Sequence, residues 1–323
     1  MNKIAYIVCY FGKFPALFQL WLNTCGNNPT VDWHIFTDDK TKYSFPQNVY
    51  VHYMTFSDLK EYIQRKYQFS ISLDNPYKLC DYRVAYGEIF QEYLSEYDFW
   101  GHCDIDLLWG DIRKFITDDV LEKYVKVGFQ GHSTLYRNEE SINSFYRTHV
   151  NGIPTYEEIF SHPENYLFDE NIITKMYEIC GISYYKKTVF AHLNKYESAF
   201  YLGYMSSEDR YKNHRQVFSI KDGRLFRHYV HNNMVFTEEY MYIHFFCRSM
   251  EILVDNGTSN VLIVPNRIIE LPEKIDVQLI NKLGKRSKLK YLFEQLKKNK
   301  NNITFSRVLN SVRYRIKYAI RKK

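Results

Sequence analysis

"DFWGHCDIDLLWGDI", residues 98–112, is the stretch on which the fold turns. The run Phe99–Cys103 is apolar and aromatic and passes directly into Asp104 and Asp106, with Asp111 following. Such a run reads as a strand buried on both faces. Carboxylates at the end of a buried strand are costly unless a positive partner meets them. An Asp-x-Asp there suits a divalent cation, because Mg²⁺ or Mn²⁺ takes carboxylate, water and phosphate oxygens together. On the tripeptide alone, a solvated turn is the competing reading.

The surrounding pattern favours the strand end. Residues 3–10 form a first continuous apolar run, "ALFQLWLNTC" (16–25) has helical spacing, and "VDWHIFTDD" (31–39) and "NVYVHYMTF" (48–56) read as second and third strands. Ser57 is expected to cap a helix over "DLKEYIQRKY" (58–67), and "LCDYRVAYGEIFQEYL" (79–94) to form one helix. "GDIRKF" (110–115) starts another. Alternation of this kind predicts an α/β domain with a mainly parallel central sheet. Downstream, "VKVGFQGHSTLYRN" (125–138) suggests two short strands. Segment 139–180 reads as helix and loop, and 183–245 is dominated by strand-like pieces.

At 323 residues and 39.0 kDa the chain can bury a full core. Its 45% apolar and 25% charged content is that of a globular protein. The 30 tyrosines and 23 phenylalanines fit either genomic base composition or a sugar-stacking surface. Six scattered cysteines without a CxxC pair read as reduced core residues of a cytosolic protein, and no run is long and apolar enough for a membrane span. "MNKIAYIVCYFGKF" reads as a first strand rather than a signal peptide. The net charge of +6 hides a split: residues 281–323 hold 15 Lys+Arg and one acid, leaving the other 280 at a net −8. We therefore expect a body, 1–280, and a basic tail, 281–323, with apolar stripes at Leu289, Leu292, Phe293 and Leu296 and at Phe305, Val308, Leu309 and Val312, as in two amphipathic helices.

The string "CDYRVAYGEIFQEYLSEYDFWGHCDIDLLWGDI" (80–112) has the order Asp-x-Arg, helix, strand, Asp-x-Asp, Gly-Asp-Ile. It resembles the donor-site core of GT-A glycosyltransferases, particularly retaining families 8 and 32, and the order of elements keeps to that pattern over residues 1–250. "FWGHCDID" and "GDIRKF" are also similar to strings of a bacterial family of uncharacterised domains found among polysaccharide-synthesis genes. The resemblance implies a Rossmann-like GT-A fold. It also implies a metal-dependent enzyme moving a hexose, with retention, from a nucleotide sugar such as a UDP-hexose to a saccharide acceptor.

Carried onto this sequence, the resemblance makes Asp104, Asp106 and His244 ligands of Mn²⁺ or Mg²⁺, with Asp104 also on the ribose or diphosphate. It places the loop Tyr10, Phe11 and Gly12, with Asp38 and Asp39, around the nucleotide. It sets Asp81 and Arg83 on the donor sugar or its phosphate, residues 131–138 on a sugar-contacting strand and turn, and Asp169 and Glu170 against the sugar as candidate catalytic groups. The sequence departs from the pattern at Cys80, which stands for a serine, in the Asp81–Arg83 spacing, and in "HFFCRSM" (244–250), which lacks the diphosphate-binding lysine; Arg248 is the candidate substitute. On residues alone, His244 reads equally as a core histidine, Asp38–Asp39 as a turn, and Asp169–Glu170 as a helix cap.

Two other functions fit parts of the pattern. A non-catalytic module could bind polysaccharide on its aromatic faces. An Asp-x-Asp phosphatase ranks lower, since that chemistry uses the first strand and a Thr or Val where Leu107–Leu108 stand here. For the tail, an anionic membrane surface is the expected partner, nucleic acid is not, and docking onto the acidic body is the competing reading. The expected setting is cytoplasmic, peripheral to the inner face of the cell membrane, with a lipid-linked acceptor in capsule, O-antigen or other surface-polysaccharide synthesis.

Overall fold

Four apolar runs build the centre. β1 (Ile4–Cys9), β2 (Val31–Thr37), β3 (Val49–Tyr53) and β4 (Phe99–Cys103) lie parallel in the order β3-β2-β1-β4. The structure is a computed structural model, described over residues 1–193, 199–203 and 215–284. Along β1, Ile4, Tyr6 and Val8 pack into one apolar cluster and Ala5 and Ile7 into the other. Both faces of β1 are therefore covered, which is why it reads as an unbroken apolar run rather than an alternating one. Burying a side chain such as Ile7 or Phe36 contributes about 1.5–3 kcal/mol.

After β4 the chain leaves this sheet in β5 (Leu107–Trp109) and returns in β6 (Lys126–Gln130) and β7 (Ser133–Arg137). β7 pairs antiparallel to β4 and β6 antiparallel to β7, completing six strands in the order β3-β2-β1-β4-β7-β6. The expected mixed α/β class with a mainly parallel central sheet is what the structure has. β8 (Phe190–His192) follows, and then a second sheet begins with β9 (Gln216–Lys221), β10 (Arg224–His231) and β11 (Met234–Tyr240). β12 (Tyr242–His244) sits between β5 and β8 in a small three-stranded sheet. β13 (Glu251–Ile252), β14 (Val261–Val264) and β15 (Arg267–Glu270) finish the second sheet in the order β11-β10-β9-β14-β15-β13.

The helices correct two local expectations. Helix α1 (Phe18–Gly26) forms as its spacing predicts, but α2 (Phe56–Gln64) starts before Ser57. Thr55 is its cap: the Asp58 amide donates to the Thr55 hydroxyl at 3.1 Å and the Thr55 amide to the Asp58 carboxylate at 2.9 Å. The single helix expected over 79–94 is instead α3 (Leu79–Tyr82), a tighter turn at Arg83–Ala85, and two further turns at Tyr86–Ile89 and Gln91–Leu94. Gly87 lies under Trp100 so closely that a Cβ there would meet the indole nitrogen at 2.5 Å, so packing onto β4 overrides the helical period.

The cysteines are not the uniformly buried core residues expected: only Cys25 and Cys103 are buried, and Cys180 and Cys247 are exposed. Among the described residues, no helix is long and apolar enough to cross a membrane. The apolar stripes expected in the basic tail lie outside the described residues. The last described helix, Val277–Leu283, runs across position 280, where the sequence reading set its boundary.

Candidate active site

The chain order turns back on itself at β1. It builds β2 and β3 on one side and returns to lay β4 on the other, so the carboxyl ends of β1 and β4 flank a crevice. In open α/β sheets such a reversal point is where ligands bind. Beyond β1 comes the loop Tyr10–Gly12; beyond β4 come Asp104 and Asp106.

The two aspartates span the junction between sheets. The Asp104 amide donates to the His132 carbonyl at 3.0 Å, tying it to β7, whereas Asp106 is followed by β5, which pairs with β12. That pairing sets His244 opposite Leu107 and brings its Nε2 to 3.1 Å from Asp106 and 3.6 Å from Asp104. Each aspartate side chain keeps roughly a quarter of its surface open. Burial alone would raise the Asp106 carboxyl, but His244 and the Cys247 amide, 2.6 Å away, outweigh it and bring it down to about 2. His244 moves the opposite way: burial lowers it, and the charges of Asp106, Asp104 and Glu170 carry it above its ordinary value. Phe246 and Cys247 both take left-handed backbone (φ 50° and 58°), and the short bond from the Cys247 amide to Asp106 secures that turn.

Arg83 is the principal positive partner of the strand end. Its guanidinium forks between Asp104 (2.6 Å) and Asp169 (3.0 Å) and also donates to the Gly131 carbonyl at 2.9 Å. Asp169 is buried, and desolvation, only partly offset by Arg83, pushes it up to about 7. Glu170 is raised by burial and then by Asp104. Both acids lie against Gly131, where a Cβ would meet an Asp169 oxygen at 2.6 Å and Glu170 Cγ at 2.7 Å; only glycine allows this approach. The segment Phe168–Ile172 that carries them is a π-helical turn entered through a left-handed Leu167, not the plain helix cap that residue type alone allows.

Asp81 does not share this cleft. It is fully buried, and its oxygens accept from the Lys78 ammonium (2.8 Å) and from the amides of Tyr166 and Phe168. Residues two apart on a helical turn point about 200° apart, and Asp81 and Arg83 accordingly take different partners here. Asp81 positions the segment that carries Asp169.

At the β1 end, Gly12 (φ +94°) donates to Asp38 at 2.7 Å, and Phe11 packs edge-on to Phe56. Asp39 is buried among Lys13, Thr41 and the Phe14 amide, so its carboxyl serves the loop itself. Tyr10 is half-buried, and its phenol is raised by burial and then by the charge of Asp106. Arg248 is buried, donating to the Ala199 carbonyl at 3.2 Å with its guanidinium over Phe200.

The sequence reading missed His192, and it took His132 only as part of a strand. Both stand beside His244, and the three offer ring nitrogens within 4.8 Å of one another; Asp104, Asp106 and His244 bring two carboxylate oxygens and a ring nitrogen equally close together. The His192–His244 pairing follows from β8·β12 register, which spacing along the chain does not reveal. The two-carboxylate, one-imidazole set fits a hard divalent cation that keeps further positions for water or phosphate.

Residues 6–272 match the model of a family of unknown function, DUF6625. The chain belongs to that family. A comparison with curated proteins finds no match for this DUF6625 chain. Among solved structures it is similar to mouse xyloside xylosyltransferase 1 in its apo form (TM-score 0.38, 10% identity, 60% of this chain and 88% of that one). It is also similar to the galactosyltransferase LgtC in complex with donor and acceptor sugar analogues (TM-score 0.35, 10% identity, 58% and 75%). Likenesses this loose fix neither the fold nor the chemistry of a DUF6625 protein.

Proposed function

We propose that this DUF6625 protein is a GT-A glycosyltransferase of the retaining type seen in families 8 and 32, moving a hexose from a UDP-sugar to a saccharide acceptor. The observation that carries the reading is the meeting of Asp104, Asp106 and His244 at the carboxyl edge of a parallel sheet, beside its reversal point. A Mn²⁺ or Mg²⁺ held by these three residues would neutralise charge on the departing diphosphate. Tyr10, Phe11 and Gly12 would lie along the nucleotide, with Asp38 fixing the loop through the Gly12 amide. Arg83 sets Asp104 and Asp169 at a fixed separation across the cleft, so the sugar would sit between the cation site and the Asp169–Glu170 turn. Asp169, at about 7, can hold or give up a proton near neutral pH; Glu170 is the more open of the two. The Asp-x-Asp follows the fourth strand rather than the first, which speaks against an aspartyl phosphatase.

The test is donor hydrolysis across a panel of nucleotide sugars with Mn²⁺ or EDTA, with the anomer released read by NMR. Cation-dependent cleavage of a UDP-hexose with retained configuration supports the reading; saccharide binding without cleavage of any donor favours a binding module and removes it.

The net +14 of residues 281–323 suits an anionic membrane surface. We assign this tail to peripheral attachment at the inner face of the cell membrane, where a lipid-linked acceptor for surface polysaccharide would lie. The full chain should then sediment with anionic vesicles at low salt, and a chain ending at Gly284 should stay in solution. Equal sedimentation of both would remove the membrane role.

A further inference from the structure

His244 faces two ways. Its Nε2 points at Asp106, while its Nδ1 lies 3.0 Å from Nδ1 of His192 on the neighbouring strand. His132 closes a triangle: its ring centre is 4.3 Å from that of His244 and 5.4 Å from that of His192, and the His192–His244 distance is 4.9 Å. The three residues are 3%, 9% and 4% exposed in chain order. The Tyr242 hydroxyl lies 2.9 Å from Nδ1 of His132, and His132 Nε2 is buried with no hydrogen-bond partner among the described residues. Phe190, Tyr242 and Phe246 wall the cluster. A buried ring nitrogen left in this state marks a polar corner that the described residues do not complete.

The donor set is unlike that of the aspartate pair. Imidazole nitrogens in an aromatic shell suit a borderline cation such as Zn²⁺, whereas carboxylates suit Mg²⁺ and Mn²⁺. Zn–N bonds of about 2.0–2.1 Å at tetrahedral angles place three imidazole centres about 5 Å apart; the three distances here, 4.3, 4.9 and 5.4 Å, bracket that value. We propose that His132, His192 and His244 form a second, all-nitrogen cation site fit for Zn²⁺, sharing His244 with the aspartate pair. Three protein ligands leave a fourth position for water.

Sharing has a consequence. A neutral imidazole has one acceptor nitrogen. When His244 ligates through Nδ1, its Nε2–H donates to Asp106, a carboxylate–histidine–zinc arrangement. When it ligates through Nε2, its Nδ1–H donates to His192. It cannot serve both cations, so zinc on the imidazoles withdraws His244 from the aspartates and opposes Mn²⁺ there. The nitrogen site stands on its own geometry; only this opposition rests on reading the aspartate pair as a cation site.

X-ray absorption at the zinc edge of the full-length wild-type protein, loaded with one equivalent of ZnCl₂, needs no variant. It should show a shell dominated by three imidazole nitrogens; an oxygen-dominated shell, or no bound zinc, overturns the proposal. In equilibrium dialysis, His192→Ala should weaken zinc binding at least tenfold. The double variant Asp104→Asn/Asp106→Asn, which keeps a carbonyl acceptor for the His244 N–H and all three imidazoles, should weaken it less than His192→Ala does. The reverse pattern, in variants whose circular dichroism matches wild type, places zinc on the aspartates and overturns the site. Mn²⁺ binding followed by electron paramagnetic resonance should be suppressed by zinc in wild type and not in His192→Ala. If wild type binds no Mn²⁺, the aspartate reading fails while the zinc-edge spectrum still decides the nitrogen site.

Discussion

Two strands of the central sheet end in carboxylates, and the chain treats them differently. Beyond β2, Asp39 is buried and receives Lys13, Thr41 and the Phe14 amide, so this protein supplies its partners. Beyond β4, Asp104 and Asp106 stay partly open, met on one side by Arg83 and on the other by His244. The same residue type at the same sheet edge holds a loop in one place and presents open oxygens in the other. Residue identity does not separate the two cases; the partners do. A carboxylate left partly exposed at a sheet's reversal point is the one to suspect of binding.

Substitutions should separate the two ends sharply. The largest effect is expected from Asp104→Asn or Asp106→Asn: donor hydrolysis should fall at least about 10³-fold in variants whose circular dichroism matches wild type, well beyond what the lost contacts to Arg83 and His244 cost in stability. Arg83→Lys comes next. A single ammonium cannot bridge Asp104 and Asp169 as the guanidinium does, and turnover should drop about 10²-fold. His244→Ala should weaken cation-dependent UDP binding by roughly 10–100-fold by titration calorimetry; an unchanged affinity would make it a core histidine.

At the β2 end the effect should be on stability alone. Asp39→Asn should cost about 1–3 kcal/mol, read from urea unfolding. Burial raises the Asp39 carboxyl, but Lys13, Thr41 and the Phe14 amide outweigh it and hold it below its ordinary 3.8. Its contribution is therefore present above that value and is lost as pH falls below it. The variant should have a flatter acid limb than wild type. Loss of UDP binding in Asp39→Asn at full stability would erase the distinction between the two strand ends.

Much of this was legible in the sequence. The apolar runs of β1 and β4 announce a sheet covered on both faces, and the Asp-x-Asp following "FWGHC" stands at a strand end as expected. His244 joined it through β5·β12 pairing, a contact over 138 residues that the chain pattern alone does not encode. What could not be read was direction. Asp81 and Arg83 are both polar residues in one turn, but helical geometry sends one inward to Lys78 and the other to the cleft. The His192–His244 pair depends on β8·β12 register, and Gly131 matters only because two acids pack on it.

The most direct test of the account is titration calorimetry of the full chain with UDP, in Mn²⁺ and again in EDTA, alongside Asp104→Asn/Asp106→Asn. The account predicts saturable UDP binding by wild type in Mn²⁺, lost in EDTA and lost in the variant. UDP binding that survives both EDTA and the double substitution, or no binding under any of these conditions, would contradict it.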